Sequence, residues 1–436
     1  MTPRAVEPLV QVEEVTYPPL HEDQLVDRHI ESGAASDIYA LKVRGWAIGS
    51  RQPVTHFELA HRGMVLEKVA ALPSPELAAL RPDDQYAGQS RVELPVSSLD
   101  LPYRFHLVVR AVLADQTRAR VAALTGTRAA LPGGPATGPG PILLSTIGRS
   151  GSTAVSNLLC HHPDLAGYRT WDAETRMVSY WTSVLRALAR PAGYERQLEA
   201  AGHLEGNWWL GEAPPDPEFA DDPALAVLGV DAVEAAASFC RSQMGLIGSW
   251  LVAASGKPGA RYLVEKAAPH WVRSVAEMSE ELDPRTREIV LVRDFRDVAC
   301  SMFAYTQRRG FTGFGPRPGA SMDETIRWLS AGGASSLVDY IGRRGAQAHV
   351  FRYEDLITRP AAALAEMLEY VGVDARSQTV AAMLERLGAE SARRDNHATT
   401  ASPEKSLGRW RHELDADQQA LAQHLLRPQL DALGYE

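Results

Sequence analysis

Two textures of hydrophobic and polar positions divide the chain. In the first third, short runs alternate apolar with polar residues or concentrate β-branched and aromatic ones: 38–48 (IYALKVRGWAI), 54–60 (VTHFELA), 91–96 (RVELPV) and 103–113 (YRFHLVVRAVL), with turn-forming residues between them. Alternation buries one face of a strand and wets the other, so residues 31–130 are expected to form an antiparallel β-sandwich-like domain. Residues 1–30 carry several prolines and weak periodicity and read as an N-terminal arm. The stretch LPGGPATGPGP, 131–141, can sustain neither a helix nor a sheet ladder, because proline lacks a donor and glycine is unrestrained; it reads as a linker.

Past the linker the pattern changes to short continuous apolar runs separated by helical periodicities. ILLS (142–145), YLVE (262–265), EIVLV (288–292) and HVFRY (349–353) have the character of strands covered on both faces, which predicts a parallel α/β sheet flanked by helices in a domain spanning 142–436. Among the helices, Leu364, Met367, Leu368 and Val371 share one face and Gly372 stands ready to end it, while Ser321 and Glu324 form a capping box ahead of a helix running toward residue 340.

Composition narrows the function. A chain of 436 residues is more than one core usually organises, and 45% apolar with 23% charged residues suits compact domains. The formal charge of −9 argues against general binding of nucleic acid or anionic membrane but leaves room for an anionic small ligand in a local basic pocket. Cys160, Cys240 and Cys300 include no CxxC pair, which suggests neither a disulfide framework nor structural zinc and fits a cytoplasmic setting. The N-terminus lacks a basic start with an apolar core, and no later run is long enough to span a membrane.

The most informative stretch is ILLSTIGRSGSTAVSNLL, 142–159, a buried strand running through a Gly-rich turn into a helix. That order builds an anion site. Gly148 and Gly151 let the backbone curl around a phosphate, the helix N-terminus presents N–H groups, Ser150, Ser152 and Thr153 add hydroxyls, and Arg149 adds fixed charge. A strand-to-helix turn with good capping residues is the plainer alternative. A Walker A loop needs Lys after its second Gly, and the position after Gly151 is Ser152, which disfavours a P-loop kinase.

IGRSGST is similar to the 5′-phosphosulfate loop of the sulfotransferases that use 3′-phosphoadenosine 5′-phosphosulfate (PAPS), with Gly148 at the usual Pro position. The resemblance implies a P-loop-like sulfotransferase fold, PAPS as donor, its product PAP, no metal, and Arg149, Ser150, Gly151, Ser152 and Thr153 around the phosphosulfate. EIVLVRDFRDVACSMF, 288–303, resembles the family's 3′-phosphate motif, implying Arg293 and Ser301 as a clasp; a surface Arg–Asp network is the alternative. HVFRYEDLITRP, 349–360, resembles a further segment in which Tyr353 approaches the nucleotide or packs a helix. SPEKSLGRWRHEL, 402–414, resembles the cover of the 3′-phosphate, implying Lys405, Ser406, Gly408 and Arg409.

For the acceptor side, Glu174-Thr175-Arg176 resembles an element of the protein-tyrosine sulfotransferases in which Glu is the base, implying Glu174 as general base and Arg176 as its orienting partner or an acceptor contact. Asp172 is the nearest substitute. In YLVEKAAPHW, 262–271, the resemblance implies a role for Lys266 near the acceptor or the leaving group, and His270 is an alternative base. His161, His162 and Asp164 lack further ligands at a suitable spacing for zinc. The expected activity is sulfuryl transfer to a hydroxyl of a glycan or a glycosylated or secondary metabolite. Alternatives are a protein-tyrosine sulfotransferase, a P-loop kinase, or a noncatalytic PAP- or glycan-binding scaffold. The N-terminal domain positions a large acceptor or makes a homodimer contact.

Overall fold

A computed structural model describes the chain from residue 9 onward, apart from 32–35, 38–39, 132–133, 135–136, 169–172, 191–217, 219–221, 223, 269–272, 310–314, 318, 392–398 and 401. The chain forms two compact units, residues 1–134 with 182–240 and residues 135–181 with 241–436.

The first unit contains two antiparallel sheets. One runs in the order Val10–Thr16, Arg118–Arg128, Arg104–Leu113, Val54–His61, Met64–Ala70; the other in the order Leu25–Ile30, Ala40–Gly49, Gln89–Ser97, Leu72–Pro73. Their inner faces share a core in which Leu41, Val43, Val92 and Leu94 of one sheet join Phe57, Leu59, Leu107, Val109 and Leu124 of the other, as expected for a sandwich. Residues 10–16 and 25–30 are outer strands of the two sheets, not an arm. An outer strand buries little of itself: most of Val10–Thr16 is exposed or half-buried, so its sequence carries little alternation.

The second unit is built on a parallel sheet in the order Leu165–Ala166, Tyr262–Ala267, Gly140–Ser145, Arg287–Val292, His349–Arg352. Each of the four expected strands is present, and the central one begins inside the segment read as linker. On one face Ile142, Leu144, Val264 and Leu291 pack with Val155, Leu158, Leu364 and Met367; on the other, Val290 and Val292 pack with Phe295, Ile326, Leu337 and Leu426. The helix Pro360–Val371 buries Leu364, Met367, Leu368 and Val371 and ends at Gly372 in the left-handed conformation, φ +79°. Ser321 and Glu324 close a capping box, but the helix is interrupted after Leu329 by a wide turn over Ser330–Ala334 containing Gly332 and Gly333 before Ser335–Arg344 continues.

Residues 182–240, which the periodicities assigned to the domain 142–436, group with the sandwich unit. Within that unit Arg186 pairs with Asp100 at 3.1 Å, and Ser97 Oγ donates to the Ala189 carbonyl at 3.2 Å, long-range contacts invisible to a local pattern.

In the parallel sheet the chain leaves the central strand Gly140–Ser145 with neighbours on both sides that arrive later in sequence. Such a reversal opens a crevice at the carboxyl ends of the strands, and the candidate site lies there.

Candidate active site

The turn after Gly140–Ser145 is held from below. Thr146 Oγ1 donates to the Leu291 carbonyl at 2.8 Å, and Ser145 Oγ donates to the buried Glu288 carboxylate. Arg149 at φ +70° and Gly151 at φ +92° then bend the backbone into the left-handed region twice within three residues, feeding the helix Ser152–Leu159. A left-handed arginine is uncommon, and its occurrence in an anion-type loop is where such strain is usually kept. The first-turn N–H groups of that helix have no intrahelical acceptors and point at the crevice end. Ser152 and Thr153 are half-buried in this turn, whereas Ser150 is fully buried and its hydroxyl donates to the Ile147 carbonyl at 3.1 Å. Ser150 therefore shapes the loop from inside. Gly151 is required twice over, since a Cβ there would stand 2.3 Å from Cδ2 of the Tyr353 ring.

Arg293 emerges at the end of the strand Arg287–Val292 and is 4% exposed. Its Nη1 donates to the Arg149 carbonyl at 3.2 Å and its Nη2 to the Ser406 carbonyl at 2.5 Å, while its guanidinium lies 4.8 Å from the centre of the Tyr353 ring. Tyr353 OH and Ser406 Oγ are 3.2 Å apart, so four residues from four distant segments meet at one point. Arg149 Nε donates to Ser301 Oγ at 3.3 Å, and its guanidinium stacks on Tyr305 at 4.2 Å. Ser301 in turn meets Thr399 at 3.4 Å, and Arg409 reaches Thr399 at 2.8 Å while pairing with Glu413. Gly408 sits at φ +63° in this segment; Lys405 is on the surface. The RDFRD run is not a solvated charge patch. Asp294 and Arg296 form a buried pair at 2.8 Å, and Trp410 lies 4.0 Å from the Arg296 guanidinium.

On the other side of the phosphate loop, Lys266 is the penultimate residue of the strand Tyr262–Ala267, with its Nζ donating to Thr153 Oγ1 at 2.9 Å and pairing with Glu174 at 3.1 Å. The side chain of Glu174 is 49% exposed and that of Lys266 only 9%, so a largely buried cation holds an accessible acidic side chain. Arg176, expected either to orient Glu174 or to contact the acceptor, is exposed at φ +55° and contributes to the field at Glu265. Glu265 is buried and accepts from Thr175 Oγ1 at 2.6 Å, from the Val178 N–H at 2.8 Å and from the Met177 N–H, capping the helix Met177–Leu188. Burial pushes its carboxyl above the usual range against those three donors. This cap, together with the Lys266 N–H donating to the Ala173 carbonyl at 2.8 Å, fixes both ends of the short loop carrying Glu174. His270 and Asp172 lie outside the described residues. His162 spends its ring on the Asp374 carbonyl and the Asp164 N–H, and no group of three or more His, Cys, Asp or Glu suited to a metal occurs among the described residues.

A family model described as the sulfotransferase family matches residues 141–378, more than half of the 436-residue chain. The chain belongs to the sulfotransferase family. The stretch that defines this sulfotransferase contains the phosphate loop, Glu174, Lys266, Arg293, Ser301 and Tyr353, and stops short of the segment 402–414 that Arg293 also grips. Comparison with curated proteins gives no match. Solved structures similar to the chain include the sulfotransferase domain from the curacin biosynthetic pathway, 18% identical over 69% of this chain and 99% of that one with a TM-score of 0.35. A sulfotransferase from Mycobacterium avium is 14% identical over 70% and 78% of the two chains, with a TM-score of 0.36. A mouse sulfotransferase complexed with PAP is 11% identical over 67% and 84%, with a TM-score of 0.37. No helix among the described residues is long and apolar enough to cross a membrane.

The donor set of this sulfotransferase fits a nucleotide bearing two separated phosphate groups. Arg293 Nε is buried and lacks a hydrogen-bond partner among the described residues, a desolvated cationic donor that an anion would satisfy. The helix N-terminus at Ser152 is a second group of donors suited to an anion. Sequence reasoning assigned no site role to Thr399 or Tyr305, and placed Asp297 only within the alternative of an Arg–Asp network in the RDFRD run.

Proposed function

We propose that this sulfotransferase uses PAPS as donor and a hydroxyl of a glycan or a glycosylated or secondary metabolite as acceptor. The observation that carries the reading is Arg293, a buried guanidinium that joins the phosphate loop at Arg149 to the segment at Ser406 while keeping one donor without a partner among the described residues. Arg149, Ser152, Thr153 and the helix N-terminus would hold the 5′-phosphosulfate, with Ser150 and Gly151 shaping the loop. Arg293 and Ser301 would hold the 3′-phosphate under the cover formed by Lys405, Ser406, Gly408 and Arg409, and Tyr353 keeps Arg293 and Ser406 in register. When bound, PAPS supplies a sulfuryl group on a good leaving group, PAP.

The protein's own contribution is to place a base and a cation on either side of the transfer. Glu174 is accessible and is the group assigned to take the acceptor's proton. Lys266, bridging Thr153 and Glu174, sets one positive charge between loop and base, where it offsets negative charge that develops at the phosphate end and keeps the carboxylate aimed. Arg176, exposed beside this loop, is assigned to the acceptor. Ser152 at the position that a nucleotide kinase fills with Lys supports this reading over phosphoryl transfer from ATP.

Calorimetric titration with PAP and, separately, with ATP and magnesium tests the donor. PAP binding without a comparable ATP response is expected; preference for ATP overturns the reading. Release of PAP from PAPS on addition of glycans, glycosylated metabolites or tyrosine peptides then tests the acceptor. Turnover with tyrosine peptides alone would replace the glycan assignment, and PAP binding without turnover on any acceptor would favour a noncatalytic scaffold.

A further inference from the structure

Asp297 lies in the first turn of the helix Phe295–Arg309, four residues after Arg293, and is 1% exposed. Its two carboxylate oxygens accept from the backbone of a segment more than a hundred residues away: Oδ2 from the Gly408 N–H at 2.8 Å and Oδ1 from the Trp410 N–H at 3.1 Å. Burial pushes this carboxyl up to about 6 with Arg293 opposing the shift, so at neutral pH it is predominantly ionised and its bonds to the two amides are charge-assisted. The neighbouring side chains hold the same segment. Arg293 donates to the Ser406 carbonyl, and the Trp410 ring lies on Arg296, itself anchored by Asp294.

A buried carboxylate that fixes alternate backbone amides of a glycine-containing turn does something no side-chain contact in the segment does. It sets the path of the main chain between 408 and 410, and Gly408 at φ +63° is the residue that lets the path bend there. We propose that Asp297 is a positioning residue that latches the 406–410 segment beside Arg293 and thereby sets how long the PAP product stays bound. The proposal rests on the assignment of that segment as the cover of the 3′-phosphate. Asp297 itself touches neither reacting atoms nor, on this account, the nucleotide.

Two readouts test it on the full chain. The first is amide hydrogen exchange at neutral pH for wild type, Asp297→Ala and Asp297→Asn, which needs no nucleotide. Asp297→Ala leaves two amides without acceptors, so peptides containing Gly408 and Trp410 are expected to exchange roughly tenfold faster or more, with those from the strand Gly140–Ser145 unchanged. Asp297→Asn, which retains one acceptor oxygen, falls between. Unchanged exchange at 408–410, or acceleration spread evenly over the whole unit, overturns the latch. If Asp297→Ala does not fold, the comparison rests on Asp297→Asn alone, with the same two opposed outcomes. The second readout is the dissociation rate of PAP by stopped flow, expected to be highest in Asp297→Ala, intermediate in Asp297→Asn and lowest in wild type. Faster exchange at 408–410 with an unaltered PAP dissociation rate removes the link to product release, whereas absence of PAP binding by wild type sinks the donor assignment and leaves the exchange result to stand by itself.

Discussion

Replacing Arg293 by Ala isolates the 3′-phosphate clasp. The side chain is 4% exposed, so its charge acts in a largely dry setting, and it makes two hydrogen bonds to carbonyls, at 3.2 Å to Arg149 and 2.5 Å to Ser406. Truncating one partner of a buried, hydrogen-bonded charge pair commonly costs about 2–5 kcal/mol. At about 1.4 kcal/mol per tenfold, the Kd for PAP should rise from roughly 30-fold to a few thousandfold. Arg293→Lys keeps the charge but loses the planar fork that reaches Arg149 and Ser406 together, so it should recover only part of the loss. The control is adenosine 5′-phosphosulfate, which lacks the 3′-phosphate. Isothermal titration of both ligands against the three proteins, with thermal melts to confirm folding, should show a large loss for PAP and less than about a threefold change for the control. An equal loss for both ligands would mean that Arg293 organises the fold of the site without gripping the 3′-phosphate. A PAP affinity within threefold of wild type would refute the clasp outright.

Three further outcomes follow from the same geometry. Glu174→Gln should lower turnover by about a hundredfold to ten-thousandfold, measured as acceptor-dependent PAP release, while PAP affinity stays near that of wild type; a loss of PAP affinity instead would place Glu174 with the nucleotide. Gly151→Ala combines a left-handed φ of +92° with a Cβ 2.3 Å from Tyr353, and should destabilise the protein by about 2–4 kcal/mol in denaturant melts and weaken PAP, with Tyr353→Ala relieving the overlap but not the backbone strain. The folded-state position of Asp297, about 6, lies above its ordinary 3.8, so its ionisation opposes folding. Relative to Asp297→Asn, wild type should therefore gain stability as pH falls from about 6 to about 4, by up to roughly 3 kcal/mol, and lose that gain as pH rises again. A difference between the two proteins that is flat across this window would remove the assignment.

Much of the parallel sheet could be read from the chain because its strands are buried on both faces: runs such as ILLS and EIVLV have no other good location. Outer strands of the sandwich were hidden for the opposite reason. Met64–Ala70 has no fully buried residue and Val10–Thr16 only one, so little of the apolar alternation that marks a strand survives in them. At the site, the strand, turn and helix over 142–159 and the place of Arg293 after a buried strand were legible because short motifs mark a strand end. Ser150 was legible as a loop residue but not as one whose hydroxyl turns inward, since direction depends on the fold of the turn.

By itself the sequence determined the two textures, the strands of the parallel sheet, and the turn and helix that follow the central one; Glu174, Lys266, Arg293 and Tyr353 were named from the resemblance of their motifs to those of the sulfotransferases. The textures and elements depend on local spacing, which propagates directly into strand, turn and helix. Tertiary structure alone decided the pairings: Glu174 with Lys266 instead of Arg176, Arg149 with Ser301, Arg293 with Ser406, and Asp297 with the amides of Gly408 and Trp410. Each of these joins segments roughly ninety to one hundred and fifty residues apart, and a charge finds its partner by where the sheet order brings the strand ends, a matter on which neighbours in sequence carry no information.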